Sequence, residues 1–399
     1  MGTTMNHTLV YLKKNEDRRL RAGHLWIYSN EIDVQRSPLK SFTSGQLVTV
    51  VSQGGRPWGT GYINPNVLLS VRILIDKPHA KIDATFFVEK IQQALALRNS
   101  YFTAPYYRLI YGESDGLPGL VVDRFGDTLV IQITTAGMEA LKDEILTALK
   151  QVIQPQHILL RAEGSFRELE NLPQYTEVVL GEPLELTPFE ENGVKFLAPI
   201  FSGQKTGWFY DHRLNRLALK EVVKDKQVLD VFSYIGGWGI QAACFGATHV
   251  TCIDSSAQAL GLVAQHAKLN QVEDKVTTLE QDAFDALNAL IQAGKKFDVI
   301  ILDPPAFIKR RKDIESGKQA YYRINELALK LLNSPGILVS ASCSMHLAAT
   351  DLVDVIRNVA KQQQRSAKII MQGHQGPDHP IHPAIEETAY LKSFMVYVN

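Results

Sequence analysis

Asp230-Val231-Phe232-Ser233-Tyr234-Ile235-Gly236-Gly237-Trp238-Gly239 is the stretch on which the fold of the C-terminal half turns. It runs from an apolar strand into a glycine cluster and then into a helical pattern. Glycines at such a turn let backbone approach a ligand closely, and the helix start that follows presents free N–H groups. The spacing is not G-x-G-x-x-G, and an acid, Asp230, precedes the glycines on the strand itself. Working outward, apolar runs predict strands at 228–232, 249–254, 276–279, 297–302, 336–342, 367–371 and 391–398. Helical patterns at 255–270, 283–293, 319–332 and 348–363 fill the crossovers. The runs are nearly continuous, as in a parallel sheet buried on both faces. The reading is a doubly wound, Rossmann-like α/β domain over 187–399, whose ligands bind beyond the C-terminal strand ends.

Three acids stand at successive strand ends. Asp230 closes the first, Asp254 with Ser255 the second, and Asp282 with Ala283 and Phe284 follows the third. Alone, each is more often a helix cap or a solvated charge. Together they suit a nucleoside: Asp254 is placed to accept both ribose hydroxyls, and Asp282 to take the adenine amino group. No phosphate-binding loop accompanies them, which favours S-adenosylmethionine over NAD. The fourth strand ends Leu302-Asp303-Pro304-Pro305-Ala306-Phe307, where two prolines stiffen the loop and leave Asp303 facing the pocket.

The fifth strand ends Ser340-Ala341-Ser342-Cys343-Ser344. Free cysteines are mostly buried hydrophobes, and that suits Cys244 and Cys252. Cys343 differs, being flanked by serines at a strand end beside the one that delivers Asp303. It is the candidate nucleophile. Stabilisation of its thiolate is expected from the start of the helix near Ala348 and from the hydroxyls of Ser342 and Ser344.

Upstream the texture changes twice. Residues 8–75 read as short strands punctuated by Gly, Pro and Asn, a β-rich barrel or sandwich. Residues 76–186 read as a mixed α+β unit, with helices at 85–100 and 138–152 and strands at 128–134 and 157–161. Its Gly112–Gly119 segment lacks phosphate-loop spacing and reads as turns. The 399 residues carry 42 basic and 42 acidic side chains, so the chain has no general affinity for polyanions. A local basic run, Lys13, Lys14, Arg18, Arg19 and Arg21, precedes Gly23-His24-Leu25-Trp26-Ile27-Tyr28 and marks an RNA-binding surface. Three cysteines without a CxxC pair build neither a disulfide framework nor a metal cluster, so no metal is expected and a reducing cytoplasm is the expected home. No signal-type or membrane-spanning apolar run is present, and no membrane partner is expected.

With these residues in hand, the sequence resembles the bacterial 23S ribosomal RNA large-subunit cytosine-C5 methyltransferases of the PUA-containing class. Residues 1–75 look like the PUA domain, through Arg19-Leu20-Arg21-Ala22-Gly23-His24-Leu25-Trp26-Ile27-Tyr28. Gly112-Glu113-Ser114-Asp115-Gly116-Leu117-Pro118-Gly119-Leu120 looks like the central domain. Gly203-Gln204-Lys205-Thr206-Gly207-Trp208-Phe209-Tyr210-Asp211-His212-Arg213 matches the stretch that lies over the cofactor. Phe232-Ser233-Tyr234-Ile235-Gly236-Gly237, Asp303-Pro304-Pro305, Ser342-Cys343-Ser344 and Asp378-His379-Pro380 complete the set. The resemblance implies that S-adenosylmethionine is held by Lys205, Thr206, Gly207, Phe209, Asp211 and Arg213. The glycine-loop residues Asp230, Phe232, Ser233, Tyr234, Gly236 and Gly237 join them, as do Asp254, Ser255, Asp282, Ala283 and Asp303. It implies a large-subunit RNA substrate in naked or early-assembly form and a covalent Cys343 adduct, with Asp303 on the cytosine. Many RNA cytosine-C5 methyltransferases carry a second cysteine after the prolines, where this chain has Ala306. Homodimerisation is compatible with the sequence. Methylation of a guanine ring nitrogen, a noncatalytic RNA-binding or assembly role, and NAD-dependent oxidoreduction are the rival readings. Cys343, the intact acids and the missing dinucleotide fingerprint, respectively, argue against them.

Overall fold

The computed structural model describes residues 7–399. They fall into two compact units: one of residues up to 187 with 198–208 and 377–388, the other of 188–197, 209–376 and 389–399. Two segments expected inside the C-terminal domain, 198–208 and 377–388, therefore group with the N-terminal unit.

The N-terminal unit holds two five-stranded sheets. In the first, Thr8–Tyr11 pairs in parallel with Gln46–Val51, which continues antiparallel through Pro57–Ile63 and Val71–Ile75 to Trp26–Ile27. Its interior is Val10, Leu12, Ile27, Val48, Val50, Ile63 and Val71, all essentially unexposed. The second sheet runs Tyr175–Leu180, His157–Ala162, Thr128–Ile133, Leu120–Phe125, Tyr106–Tyr111, with helices Ala84–Tyr101 and Lys142–Ile153 packed on it. Between Tyr106–Tyr111 and Leu120–Phe125 the glycine-rich segment is indeed a turn, with Gly116 and Gly119 at positive φ. The helix expected over 138–152 is broken at Leu141 into Ala136–Ala140 and Lys142–Ile153. Gly137 sits against the Tyr62 ring, where a Cβ would come within 2.0 Å, so the first piece is placed by that contact.

The C-terminal unit is a seven-stranded sheet. Its elements are β1 (Gln227–Val231), α1 (Gly237–Cys244), β2 (His249–Asp254), α2 (Ala257–Leu269), β3 (Val276–Glu280) and α3 (Ala283–Gln292), then β4 (Phe297–Leu302), α4 (Ile314–Leu331), β5 (Leu332–Ser342), α5 (Ala349–Gln362), β6 (Ala367–Gly373) and β7 (Lys392–Val398). The spatial order is β3-β2-β1-β4-β5-β7-β6. Neighbours from β3 to β5 are parallel, and β7 enters antiparallel between β5 and β6. The strand order reverses on either side of β1, which is where open α/β sheets bind ligands. One core, from Leu229 and Ile300 to Tyr321, Leu352 and Val396, locks β1, β4, β5 and β7 to α4 and α5. Helix α4 begins five residues before the expected 319. Gly317, within the added turn, is buried against Ile308, where a Cβ would stand 2.3 Å from Cγ1. That close packing offsets the helix-propensity cost of glycine.

Candidate active site

The β1–α1 turn is strained where a ligand site is expected. Phe232 has φ 65° and Tyr234 φ 49°, left-handed values that side chains rarely adopt, and Gly236 follows at φ 83°. Long-range bonds hold the loop: Ser233 donates its N–H to Ile253 O (2.9 Å), and Tyr234 N–H to Asp254 Oδ2 (2.8 Å). Gly239 tolerates no side chain, because a Cβ would lie 2.5 Å from Cys252 Sγ. Its N–H donates to Asp230 Oδ2 at 2.8 Å. Asp230 is fully buried, and its other oxygen has no hydrogen-bond partner. Burial pushes its carboxyl up to about 8; the Gly239 N–H opposes the shift, and the charges of Asp303 and Asp254 add to it.

The remaining expected cofactor residues divide by environment. Asp254, half-buried, turns Oδ1 to Ser256 N–H at 2.9 Å, and Ser256, one residue later than expected, caps α2. Ser255 is exposed. Asp282 is exposed and caps α3 by accepting from Phe284 and Asp285, while Ala283 is buried at the helix start. Asp211, His212 and Arg213 are buried in the C-terminal unit. Tyr390 donates its hydroxyl to Asp211 Oδ2. Arg213 lies 3.9 Å from Glu191 and 5.1 Å from the Tyr210 ring centroid. Phe209 packs edge-on against Tyr234, centroids 5.6 Å apart.

Thr206 is a correction. It is fully buried in the N-terminal unit, and its hydroxyl donates to Asp123 Oδ2 at 2.5 Å. Arg108 clasps the same carboxylate at 2.8 and 2.7 Å. Thr206 thus anchors the segment rather than facing a ligand, with exposed Lys205 (φ 51°) and buried Gly207 (φ 101°) forming the bends on either side. The basic run is partly paired. Arg19 is paired with Glu31 at 2.6 Å and Arg21 with Asp17 at 2.8 Å, so both charges are largely met internally. Lys13 donates to Asn30 O, and Lys14 and Arg18 are exposed. The same unit holds a cavity of about 450 Å³ whose lining includes Leu25, His24, Trp58, Lys90, Glu113 and His382.

The C-terminal ends of β4 and β5 carry Asp303 and Cys343, the pair expected from sequence to react. Leu302 is the register partner of Ser340, so Asp303 and Cys343 leave adjacent parallel strands on one side of the sheet. The Trp238 indole donates to Asp303 Oδ2 at 2.9 Å, and His212 Nε2 stands 3.2 Å from Oδ1. On the other side of the ring, Asn215 Nδ2 lies 3.2 Å from His212 Nδ1, and the Nε2 approach to Asp303 is a close charge contact rather than a well-aligned hydrogen bond. Burial resists charge on Asp303, but His212 and Trp238 outweigh it and hold its carboxyl below the usual carboxylate range. Nothing in the sequence assigns His212 and Trp238 a role; no spacing rule joins them to Asp303. Cys343 is half-buried, whereas Cys252 is wholly buried and its thiol is pushed well up. Burial also raises the Cys244 thiol to about 11. Another feature missed in sequence is Lys309-Arg310-Arg311-Lys312, four consecutive exposed cations just past the Asp303-Pro304-Pro305 loop.

The residues fit a bound nucleoside sulfonium: a strained glycine turn with no room for a Cβ at Gly239, a buried unpartnered Asp230 oxygen, and Asp254 and Asp282 beyond it. Known proteins agree. A family model for a PUA-like domain matches residues 10–75, and one for S-adenosylmethionine-dependent methyltransferases matches residues 146–396. A putative S-adenosylmethionine-dependent methyltransferase from Streptococcus mutans superposes with a TM-score of 0.83 at 20% identity, covering 98% of this chain and 100% of that one. Fold and site together define an S-adenosylmethionine-dependent methyltransferase that carries a PUA-like domain. The ribosomal RNA large subunit methyltransferase I of Aliivibrio fischeri (strain MJ11) is 37% identical over 390 residues, 96% of this chain and 98% of that one. Its namesake from Escherichia coli O157:H7 is 34% identical over the same shares. The chain belongs to the ribosomal RNA large subunit methyltransferase I family.

Proposed function

We propose that the chain methylates C5 of a cytosine in 23S ribosomal RNA through a covalent adduct with Cys343. The observation that carries this reading is the juxtaposition of Cys343 with an ionised, doubly held Asp303 on adjacent strand ends. S-adenosylmethionine supplies an electrophilic methyl group when bound; Asp254, Asp282 and the 232–237 turn are the residues that would hold it. The Cys343 thiolate adds to C6 of the cytosine, and the ring electrons move toward N3. Asp303 accepts a hydrogen bond from the exocyclic N4 amino group and favours the N3-protonated adduct. C5 is then nucleophilic and takes the methyl group. Loss of the C5 proton to a base and departure of the thiolate restore the aromatic ring. The cytosine must enter the pocket unpaired or flipped from its helix.

The names of the curated relatives and the PUA-like domain support an RNA substrate, and the names alone support the large subunit. Exposed Lys14 and Arg18 and the 309–312 run are among the surface cations available to phosphates. A base that must enter a pocket favours naked or early-assembly RNA over a finished ribosome; methyl incorporation into stripped RNA, subunits and ribosomes compares them. Such RNA places the enzyme in the cytoplasm, and among the described residues no helix is long and apolar enough to cross a membrane.

The test is RNA containing 5-fluorocytosine, whose C5 substituent does not leave as a cation. Wild-type protein should form an adduct that survives denaturing electrophoresis, as should Cys244→Ser and Cys252→Ser. Cys343→Ser should form none and lose turnover by several orders of magnitude while still binding the methyl donor. A methylating Cys343→Ser enzyme would overturn the covalent route in favour of the guanine-nitrogen reading.

A further inference from the structure

A thiol at its ordinary pKa near 8.5 is only a few per cent thiolate at neutral pH, so a cysteine nucleophile needs a local source of positive potential. Both sources expected from sequence are already engaged. The Ser342 and Ser344 hydroxyls are buried against the Tyr321 phenol at 2.7 and 2.9 Å. Ser344 Oγ also accepts Ile308 N–H at 3.2 Å, and Ser342 Oγ accepts Ser344 N–H at 3.1 Å. At the start of α5, Asp351 accepts from Ala348 N–H at 3.3 Å and pairs with Lys318 at 2.9 Å. A carboxylate already sits at that helix terminus.

Lys392 stands where those groups fail. It opens β7 directly across from Ser342 in the antiparallel ladder, so its stem rises beside the loop that carries Cys343. Its ammonium donates to Ser344 O at 2.6 Å and to Tyr390 O at 2.8 Å. Both acceptors are carbonyls, which fix the nitrogen as a donor, and an ammonium has three N–H groups to give. One remains beyond these two bonds.

We propose that Lys392 is a positioning residue whose ammonium holds Cys343 as its thiolate. This rests on the reading of Cys343 as the nucleophile. Burial lowers the Lys392 pKa to about 8, and the Cys343 charge acts on it in the opposite direction, as a coupled pair requires. Two other titratable groups near the thiol, Tyr321 and Asp303, do not supply the charge. Tyr321, on α4, is held neutral by burial, and Cys343 raises its pKa further. Asp303, on β4, is anionic and opposes a second negative charge, while His346 lies on the same loop as Cys343.

Alkylation of Cys343 by iodoacetamide across pH, followed by peptide mass spectrometry on the full chain, reads this directly. The wild-type midpoint should lie below 8.5, the ordinary thiol value. Lys392→Met should raise the midpoint by about one pH unit and slow alkylation at pH 7 about tenfold, the effect of removing one close opposite charge. Lys392→Arg should restore both, and Cys244 alkylation should not move. An unshifted Lys392→Met midpoint overturns the proposal. So does a wild-type midpoint at or above 8.5, which requires no variant to fold. The 5-fluorocytosine adduct separates the two readings. A shifted midpoint in a protein whose Cys343→Ser form still methylates keeps the charge pair and removes the nucleophile. An unshifted midpoint with the adduct intact does the reverse.

Discussion

The two sides of the catalytic sheet are built differently. On the β1–β2–β3 side, acids are met mainly by backbone N–H groups of the turns: Ser256 and Phe284 donate to carboxylates two positions away, Gly239 to Asp230 nine away and Tyr234 to Asp254 twenty away. On the β4–β5–β7 side, Trp238 reaches Asp303 across 65 positions and Lys392 reaches the Ser344 carbonyl across 48. The first side is a set of backbone contacts repeated at strand ends. The second exists only after the chain has folded. Binding a nucleoside can rest on local caps and backbone, whereas tuning a nucleophile and an acid calls for charges brought from elsewhere.

The sharpest test of this division is Asp303→Asn. It preserves size but removes the charge that His212 and Trp238 hold, so turnover should fall by about two to three orders of magnitude, as when a preorganised polar group is lost from an active site. Calorimetric affinity for S-adenosylmethionine should stay near wild type; a matching loss of affinity would merge the two sides. Next, Asp254→Ala should weaken donor binding by about 1.5–3 kcal/mol, the worth of a hydrogen bond to a charged group. Wild-type affinity in that variant would take Asp254 out of the site.

A smaller effect is expected at His212. In His212→Ala, Asp303 loses the largest influence that lowers its pKa, so that pKa rises. If turnover needs the Asp303 anion, the acid limb of the pH–rate profile moves to higher pH, while the rate well above it falls only about tenfold. An acid limb that stays in place would mean that His212 merely packs against Asp303. Smallest is the rim. Replacing Lys309, Arg310 and Arg311 with Ala should flatten the salt dependence of RNA binding by about 0.7 in log–log slope for each phosphate no longer neutralised. Lys14→Ala with Arg18→Ala serves as the matched pair from the N-terminal unit. Arg19 and Arg21 are poor choices there, because their replacement would strand Glu31 and Asp17. A slope altered only by the N-terminal pair would move the RNA surface off the catalytic rim.

Much of this molecule was legible in its sequence where the physics is local. The five interior strands of the catalytic sheet were visible because strands covered on both faces are largely apolar, whereas β3 and β6 are mostly exposed edge strands. The Asp230–Gly239 turn was visible because only glycine suits a left-handed, close-packed backbone, and Cys343 because a thiol between serines at a strand end is out of place in a core. Local sequence was thus enough for the fold class and the methyl donor, and it put forward Cys343 and Asp303 as the candidate pair. Only the tertiary structure decided that Thr206 anchors on Asp123, that Arg19 and Arg21 are paired internally, and that Ser342 and Ser344 turn away from Cys343 toward Tyr321. It alone brought His212 and Trp238 to Asp303 and Lys392 to the Cys343 loop. The reason is physical: a hydrophobic period or a turn is specified by neighbouring residues, whereas the partner of a buried charge is whichever group the packed chain leaves within a few ångströms of it.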